Sequence, residues 1–184
     1  MKILILGKKG NLGSSLINYL SKDHEIVALG RSEIDLSKEK FTRKKIKEIK
    51  PQIIINAAAY TDVKQCEVNK IYALKINSYL LKILSSISAE INATLIHFST
   101  EFVFDGEKNE PYKENDEVKP LNYYGLTKLY GEQNIIKSDC KFLIFRISTL
   151  VGGNKNNIIY KILENSVSKK TLFMVTDQLL VPTS

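Results

Sequence analysis

A tyrosine and a lysine stand four residues apart in Tyr124-Gly125-Leu126-Thr127-Lys128. On a helix, positions i and i+4 share one face, so the phenol and the amine project together. A free phenol ionises near pH ~10, and a neighbouring ammonium favours the phenolate and lowers that value. Such a tyrosine can protonate a carbonyl oxygen while hydride arrives at the carbon. The lysine can also hold ribose hydroxyls. Tyr123 is one residue out of phase with Lys128. A hydroxyl pair, Ser99-Thr100, ends an apolar run upstream, where it could hydrogen-bond a substrate carbonyl.

A second constellation opens the chain. Gly7-Lys8-Lys9-Gly10-Asn11-Leu12-Gly13 carries three glycines spaced three apart, directly after an apolar run. Gly7 permits a tight turn. A side chain at Gly10 would block the backbone from approaching a pyrophosphate, and Gly13 lets the following helix pack against the strand. The helix N-terminus offers N–H groups and partial positive charge to phosphates. This is not a P-loop, since no Gly-Lys-Ser/Thr follows at the required spacing. The second apolar run ends in Gly30-Arg31, where a site preferring NAD usually carries an acid. A guanidinium there suits a 2′-phosphate, which favours NADPH and leaves NADH as the alternative.

The elements that must position these groups alternate along the chain. Strands are expected over 2–6, 25–29, 52–56, 93–99, 142–146 and 171–175. Helices are expected over 14–21, 39–50 (stopped by Pro51), about 68–90, 123–137 and 156–167. Residues 101–122 are polar, hold Gly106, Pro111 and Pro120, and read as a long surface loop. Alternation of this kind predicts the α/β class: a doubly wound parallel sheet of Rossmann type in three α/β/α layers. No internal repeat or low-complexity linker is present. Residues 1–184 are expected to form one dinucleotide-binding domain, with about 150–184 beginning a substrate lobe. The last unit has no closing helix, so that lobe is expected to lie largely beyond Ser184.

Composition narrows the function classes. The formal charge is +7, from 27 basic and 20 acidic side chains. Many lysines fall in residues 38–50, where Phe41, Ile46 and Ile49 give a helix one apolar stripe and a wet face. That pattern predicts a solvated helix face; no zinc-finger spacing or basic aromatic stripe speaks for nucleic acid. No apolar run approaches the ~20 residues of a membrane span, and a cytoplasmic location is expected. Cys66 and Cys140 are too few and too far apart for a disulfide framework, and no metal-ligand cluster is apparent.

Taken together, these segments resemble the extended short-chain dehydrogenases, and within them the dTDP-4-dehydrorhamnose reductase branch. The resemblance runs through Gly7 to Gly13, Ile55-Asn56-Ala57-Ala58-Ala59-Tyr60-Thr61-Asp62-Val63, and Ser99-Thr100-Glu101-Phe102-Val103-Phe104-Asp105-Gly106. It continues through Pro111-Tyr112-Lys113-Glu114, Pro120 to Glu132, Phe145-Arg146-Ile147-Ser148, and Asp177-Gln178 followed by Pro182-Thr183. It implies NADPH-dependent reduction of the 4-keto group of a dTDP-4-dehydro-6-deoxy sugar. Tyr124 would be the acid, Lys128 would tune it and hold the ribose, and Thr100 would bind the carbonyl. Gly7, Gly10, Asn11, Leu12 and Gly13 would form the pyrophosphate turn, with Arg31, Asp35 and Leu36 toward the adenosine. Ala58, Ala59, Tyr60 and Thr61 would lie under the nicotinamide half.

The chain departs from the family at two substrate positions. Glu101-Phe102 replaces the usual aspartate and tyrosine, and Thr149 replaces a usual tryptophan. Both leave the sugar open. Magnesium follows only from the resemblance, and a homodimer is the expected assembly. Two other readings stand beside the reductase. One is a sugar-nucleotide epimerase or dehydratase using Glu101. The other is a non-catalytic NAD(P)-binding regulatory subunit.

Overall fold

Five apolar runs become five parallel strands: β1 (Lys2–Leu6), β2 (Glu25–Leu29), β3 (Ile53–Asn56), β4 (Thr94–Thr100) and β5 (Lys141–Ile147). Their order across the sheet is β2-β1-β3-β4-β5. The structure, a computed structural model, describes residues 1–152, 157–168, 171, 173 and 181–183. The helices among them are α1 (Asn11–Leu20), α2 (Glu39–Ile49), α3 (Val63–Val68), α4 (Lys70–Leu74), α5 (Leu80–Glu90), α6 (Tyr123–Ile136) and α7 (Ile158–Ser168). The doubly wound α/β expectation is met. The expected strand over 171–175 lies outside the described residues except for Thr171 and Phe173.

Side-chain alternation divides the core between the two sheet faces. Leu4, Leu6, Ile54 and Leu95 pack with Ile46 of α2, the apolar face of α5 and Ile135 of α6. Ile3, Ile5 and Ile55 point the other way, onto Leu16, Ile17 and Leu20 of α1. Strands buried on both faces read as continuous apolar runs, which is why the sequence marks them clearly. The basic face of α2 is wet, as expected, and is tied to its neighbours. Arg43 pairs with Glu39 at 2.9 Å and with Glu90 at 2.8 Å, and Lys47 pairs with Glu90 at 2.6 Å.

The helix expected over 68–90 differs in kind. It starts at Val63, where the Asp62 carboxylate caps it by accepting from the Gln65 N–H at 2.9 Å. It breaks at Asn69, resumes as α4, and passes through a π-helical turn (Lys75–Tyr79) into α5. The wide turn carries the buried Asn77. Its amide donates to the Tyr60 carbonyl at 3.0 Å and to Thr127 Oγ1 at 3.1 Å, while its oxygen accepts from the Tyr60 N–H at 2.8 Å. One residue of helical slippage thus lets a single side chain join the loop after β3 to α6. π-bulges often mark such sites.

From β1 the sheet is extended to one side by β2 and to the other by β3, so the carboxyl ends of β1 and β3 flank a crevice where open α/β sheets bind ligands. The glycine loop leaves β1 there, the Ala57–Thr61 segment leaves β3, and Thr100 ends β4. Beyond β4, a short 3-10 turn (Glu101–Val103) opens the long loop.

Candidate active site

The glycine loop is built by close approach. Gly7 has φ +92°, and a Cβ there would stand 2.7 Å from the Ala57 carbonyl oxygen. A Cβ on Gly13 would stand 2.2 Å from the Gly7 carbonyl oxygen, so α1 lies directly against the loop. Gly10 differs: its Cβ would meet only the Gly7 carbonyl oxygen, at 3.3 Å. Gly10 is the extended N-cap of α1; it offers no capping side chain, and the first turn contains no acid. The positive end of α1 therefore faces the crevice with no acidic side chain in its own first turn to offset it.

That crevice is a cleft of about 490 Å³, lined among others by Gly10, Asn11, Leu12, Thr100, Tyr124 and Lys128. A glycine cradle, a helix N-terminus and a phenol–amine pair on one wall suit a dinucleotide. The size also fits, since ligand clefts span roughly 300–1,000 Å³.

Helix α6 positions the phenol and the amine. Asn122 caps it, accepting from the Gly125 N–H at 2.8 Å. Gly125 lets it press on the 3-10 turn, where a Cβ would stand 2.1 Å from the Phe102 carbonyl oxygen. The Tyr124 ring packs edge-on to Phe102, with centroids 5.9 Å apart. Burial pushes the Tyr124 phenol up to about 12, and the nearby Glu101 adds to this; a hydrogen bond from Thr100 pulls the other way. Lys128 is 1 % exposed. Burial pushes its amine down to about 7, against the opposing pull of Glu132.

The shift of Tyr124 is set by burial rather than by Lys128. The two groups share a helix face and a cleft, but Lys128 Nζ reaches deeper. It donates to the Phe98 carbonyl at 2.6 Å and lies 3.2 Å from His97 Nε2. With burial dominant at both sites, each group is driven toward its neutral form. Glu132 in turn is held by Arg146, with Oε2 at 2.7 Å from Nη2.

Of the other expected site residues, Ala58, Ala59, Thr61, Glu101 and Thr149 also line the cleft. Tyr60 does not. Its ring packs edge-on to Tyr72, 5.0 Å between centroids, and its backbone is clamped by Asn77. Arg31, Asp35 and Leu36 lie outside the cleft lining; Arg31 is exposed, and Asp35 accepts from the Ser37 N–H and hydroxyl. Burial raises the Glu101 pKa, and its Oε2 has no hydrogen-bond partner among the described residues. Thr149 is joined by Thr183, whose N–H donates to its carbonyl at 2.9 Å. Asp177 and Gln178 lie outside the described residues.

Three features escaped the sequence reading. His97, buried beneath Lys128, was hidden in an apolar strand, although its inward phase with Leu95 and Ser99 is a signal. Asn77 left no signal without the π turn. Glu33 supplies the acid near the end of β2: it accepts from the Gly30 N–H at 2.8 Å and pairs with Lys8 at 2.8 Å. Those contacts hold its carboxyl down to about 2, the Lys8 hydrogen bond contributing most.

The family model described as RmlD substrate binding domain matches residues 1–184. The chain is 36% identical over 184 residues to a dTDP-4-dehydrorhamnose reductase of Aggregatibacter actinomycetemcomitans, covering 99% of this chain and 63% of that protein. Against the dTDP-4-dehydrorhamnose reductase of Burkholderia thailandensis, identity is 32%, covering 100% of this chain and 61% of the relative. The chain thus spans under two thirds of the length of these relatives. The crystal structure of a dTDP-4-dehydrorhamnose reductase from Clostridium acetobutylicum superposes with a TM-score of 0.92 at 36% identity, covering 97% of this chain and 64% of that one. A Bacillus anthracis dTDP-4-dehydrorhamnose reductase in complex with NADP gives 0.88 at 31% identity, covering 91% and 60%.

Proposed function

The chain belongs to the RmlD substrate binding domain family, and from that membership and the cleft we propose that it is the dinucleotide-binding, proton-donating part of an NADPH-dependent reductase. Its substrate is the 4-keto group of a dTDP-4-dehydro-6-deoxy sugar, giving dTDP-rhamnose from dTDP-4-dehydrorhamnose. The observation that carries this reading is the meeting of Gly10, Asn11, Leu12, Thr100, Tyr124 and Lys128 around one cleft.

Each residue has a physical task. The backbone of Gly10, Asn11 and Leu12, at the positive end of α1, holds a pyrophosphate. Ala58 and Ala59 keep the floor beside it low enough for a flat ring. When bound, a reduced nicotinamide supplies hydride to the carbonyl carbon. Thr100 hydrogen-bonds the carbonyl oxygen, and Tyr124 delivers the proton to that oxygen. With a pKa of about 12 the phenol stays protonated across the physiological range, so it enters as an acid. Lys128 holds the ribose and, once charged, makes the phenol a stronger acid. NADPH is favoured over NADH because the exposed Arg31 follows β2, although Glu33 beside it already holds Lys8.

A second reading draws on Glu101. A half-buried carboxyl with raised pKa beside Thr100 could move a sugar C–H proton in an epimerase or dehydratase. Net cofactor use separates the two. Full-length protein incubated with NADPH and dTDP-4-dehydrorhamnose is expected to lose NADPH absorbance in step with product. Product formed without NADPH loss rejects the reductase.

A further inference from the structure

Beneath the cleft, three buried polar side chains link the floor of the sheet to α6. Asn56 and His97 are register partners on β3 and β4, each 1 % exposed. Asn56 Nδ2 lies 3.2 Å from His97 Nδ1, and His97 Nε2 lies 3.2 Å from Lys128 Nζ. The direction of these bonds follows from one fixed end. Asn56 Oδ1 accepts from the Ala58 N–H at 3.2 Å. Turning the amide over would set Nδ2 against that N–H, donor against donor. Nδ2 must therefore donate to Nδ1.

A neutral imidazole has one donor and one acceptor nitrogen. With Nδ1 accepting, the ring proton is on Nε2 and points at Lys128 Nζ. The amine can accept it only with a free lone pair, while still donating to the Phe98 carbonyl. A charged ring offers no escape, since burial holds the imidazole well below its ordinary pKa.

We infer that Asn56 and His97 form a one-way hydrogen-bond chain that keeps Lys128 as the free amine in the empty site, so that binding of an anionic dinucleotide takes up one proton. This rests on the proposed function only in its second half. Asn56 and His97 are positioning residues, because they act through Lys128. The charged and titratable groups around the amine agree. From α6, Glu132 favours the ammonium, but Arg146 of β5 already engages that carboxylate. Above lie the neutral Tyr124 phenol and the Glu101 carboxyl, whose pKa is raised. Negative phosphates entering the shared cleft would shift the balance toward the ammonium. The proton accounting closes: the Nε2 proton passes to Nζ, and one solvent proton reaches Nδ1. The bond from Asn56 Nδ2 is then lost, and the Asn56 backbone carbonyl beside the ring, which favours its protonation, offsets that loss. The net change is one proton from solvent, leaving Lys128 charged and His97 neutral in its other tautomer.

The test needs no turnover. In the 184-residue chain, ¹⁵N NMR of His97 reads the tautomer, and the Lys128 Nζ resonance reads its titration. The expected result is Nε2–H, with Lys128 titrating near neutral pH. Asn56→Asp offers only acceptors to Nδ1, so it should reverse the tautomer and move the Lys128 titration upward. The NADPH Kd should rise by up to about tenfold per pH unit above neutrality in the wild type, and far less in Asn56→Asp. An Nδ1–H tautomer in the empty wild-type chain, or a Lys128 titration near ~10, overturns the inference whether or not NADPH binds. Failure to bind NADPH at any pH overturns the proposed function instead, and the NMR result still decides the hydrogen-bond chain.

Discussion

Replacing either of two glycines three residues apart by alanine should separate folding from binding. At Gly13, alanine ought to favour α1 by about 1 kcal/mol on helix propensity alone. Its Cβ, however, would lie 2.2 Å from the Gly7 carbonyl oxygen and 2.9 Å from the carbonyl carbon. Backbone cannot swing aside as a side chain can, so α1 must lift from the sheet by about 1 Å. That loosens Leu16, Ile17 and Leu20 from the core they cover. Overpacking of this kind costs roughly 1–3 kcal/mol, at the upper end where backbone is the obstacle. The expected net loss is about 2 kcal/mol, or roughly 4–8 °C in Tm for a chain of this size. At Gly10 the added Cβ meets one atom at 3.3 Å, a contact that yields by a few tenths of an ångström. Stability should fall by less than about 1 kcal/mol, mostly because alanine caps poorly. Its methyl nevertheless stands in the cleft where a pyrophosphate must approach backbone. NADPH affinity should fall at least tenfold, about 1.4 kcal/mol. Thermal unfolding and fluorescence titration with NADPH read the two effects independently. A Gly13→Ala chain as stable as wild type refutes the packing account. A Gly10→Ala chain with wild-type affinity refutes the cradle.

Four further outcomes follow from the same geometry. Tyr124→Phe should remove the proton donor and lower kcat of the proposed reductase by roughly 10²–10⁴ while NADPH Kd holds within a few-fold; unchanged turnover would remove Tyr124 from the chemistry. Glu132→Gln leaves Arg146 facing an uncharged amide in a nearly buried site and should cost about 3 kcal/mol in urea unfolding, a loss that Arg146→Gln should resemble. Glu33→Gln removes the carboxylate that occupies Lys8 and should tighten NADPH severalfold relative to NADH, measured as a ratio of Kd values. Stability should also rise with pH through Lys128: its folded pKa of about 7 lies below the unfolded value, so the unfolded chain binds the extra proton between them. The slope approaches about 1.4 kcal/mol per pH unit between pH 8 and 9, and Lys128→Met should flatten it.

The parts of this molecule legible in the sequence are those set by local pattern. Strands β1 and β3 announce themselves because both faces are covered, and the three glycines because each answers a separate close approach. Tyr124 and Lys128 share a face because α6 is regular between them. What pattern cannot carry is tertiary pairing. His97 reads as one polar residue in an apolar strand until the β3–β4 register sets it beside Asn56 and the packing of α6 sets it beneath Lys128. The expected 68–90 helix reads as continuous because the π turn preserves the apolar face while rotating Asn77 inward. Spacing places an amine on the same face of α6 as the phenol, but it says nothing of how deep the amine sits.

Depth also gives the cleft a consistent electrostatic character. A phenol near 12 and an amine near 7 are each moved by burial toward the uncharged form. Burial likewise raises the Glu101 pKa toward the neutral acid, and Glu132 and Arg146 neutralise one another. Among the described residues, burial thus disfavours charge on each ionisable side chain that lines the cleft. On the inference above, a bound dinucleotide would bring the charge, and its phosphates rather than water would offset the cost of charging Lys128. If ligand binding charges Lys128 further, as inferred, the Tyr124 phenol should be a stronger acid in the loaded than in the empty site. A phenol titration that stays fixed on saturation with NADPH would break that link even if both residues prove essential.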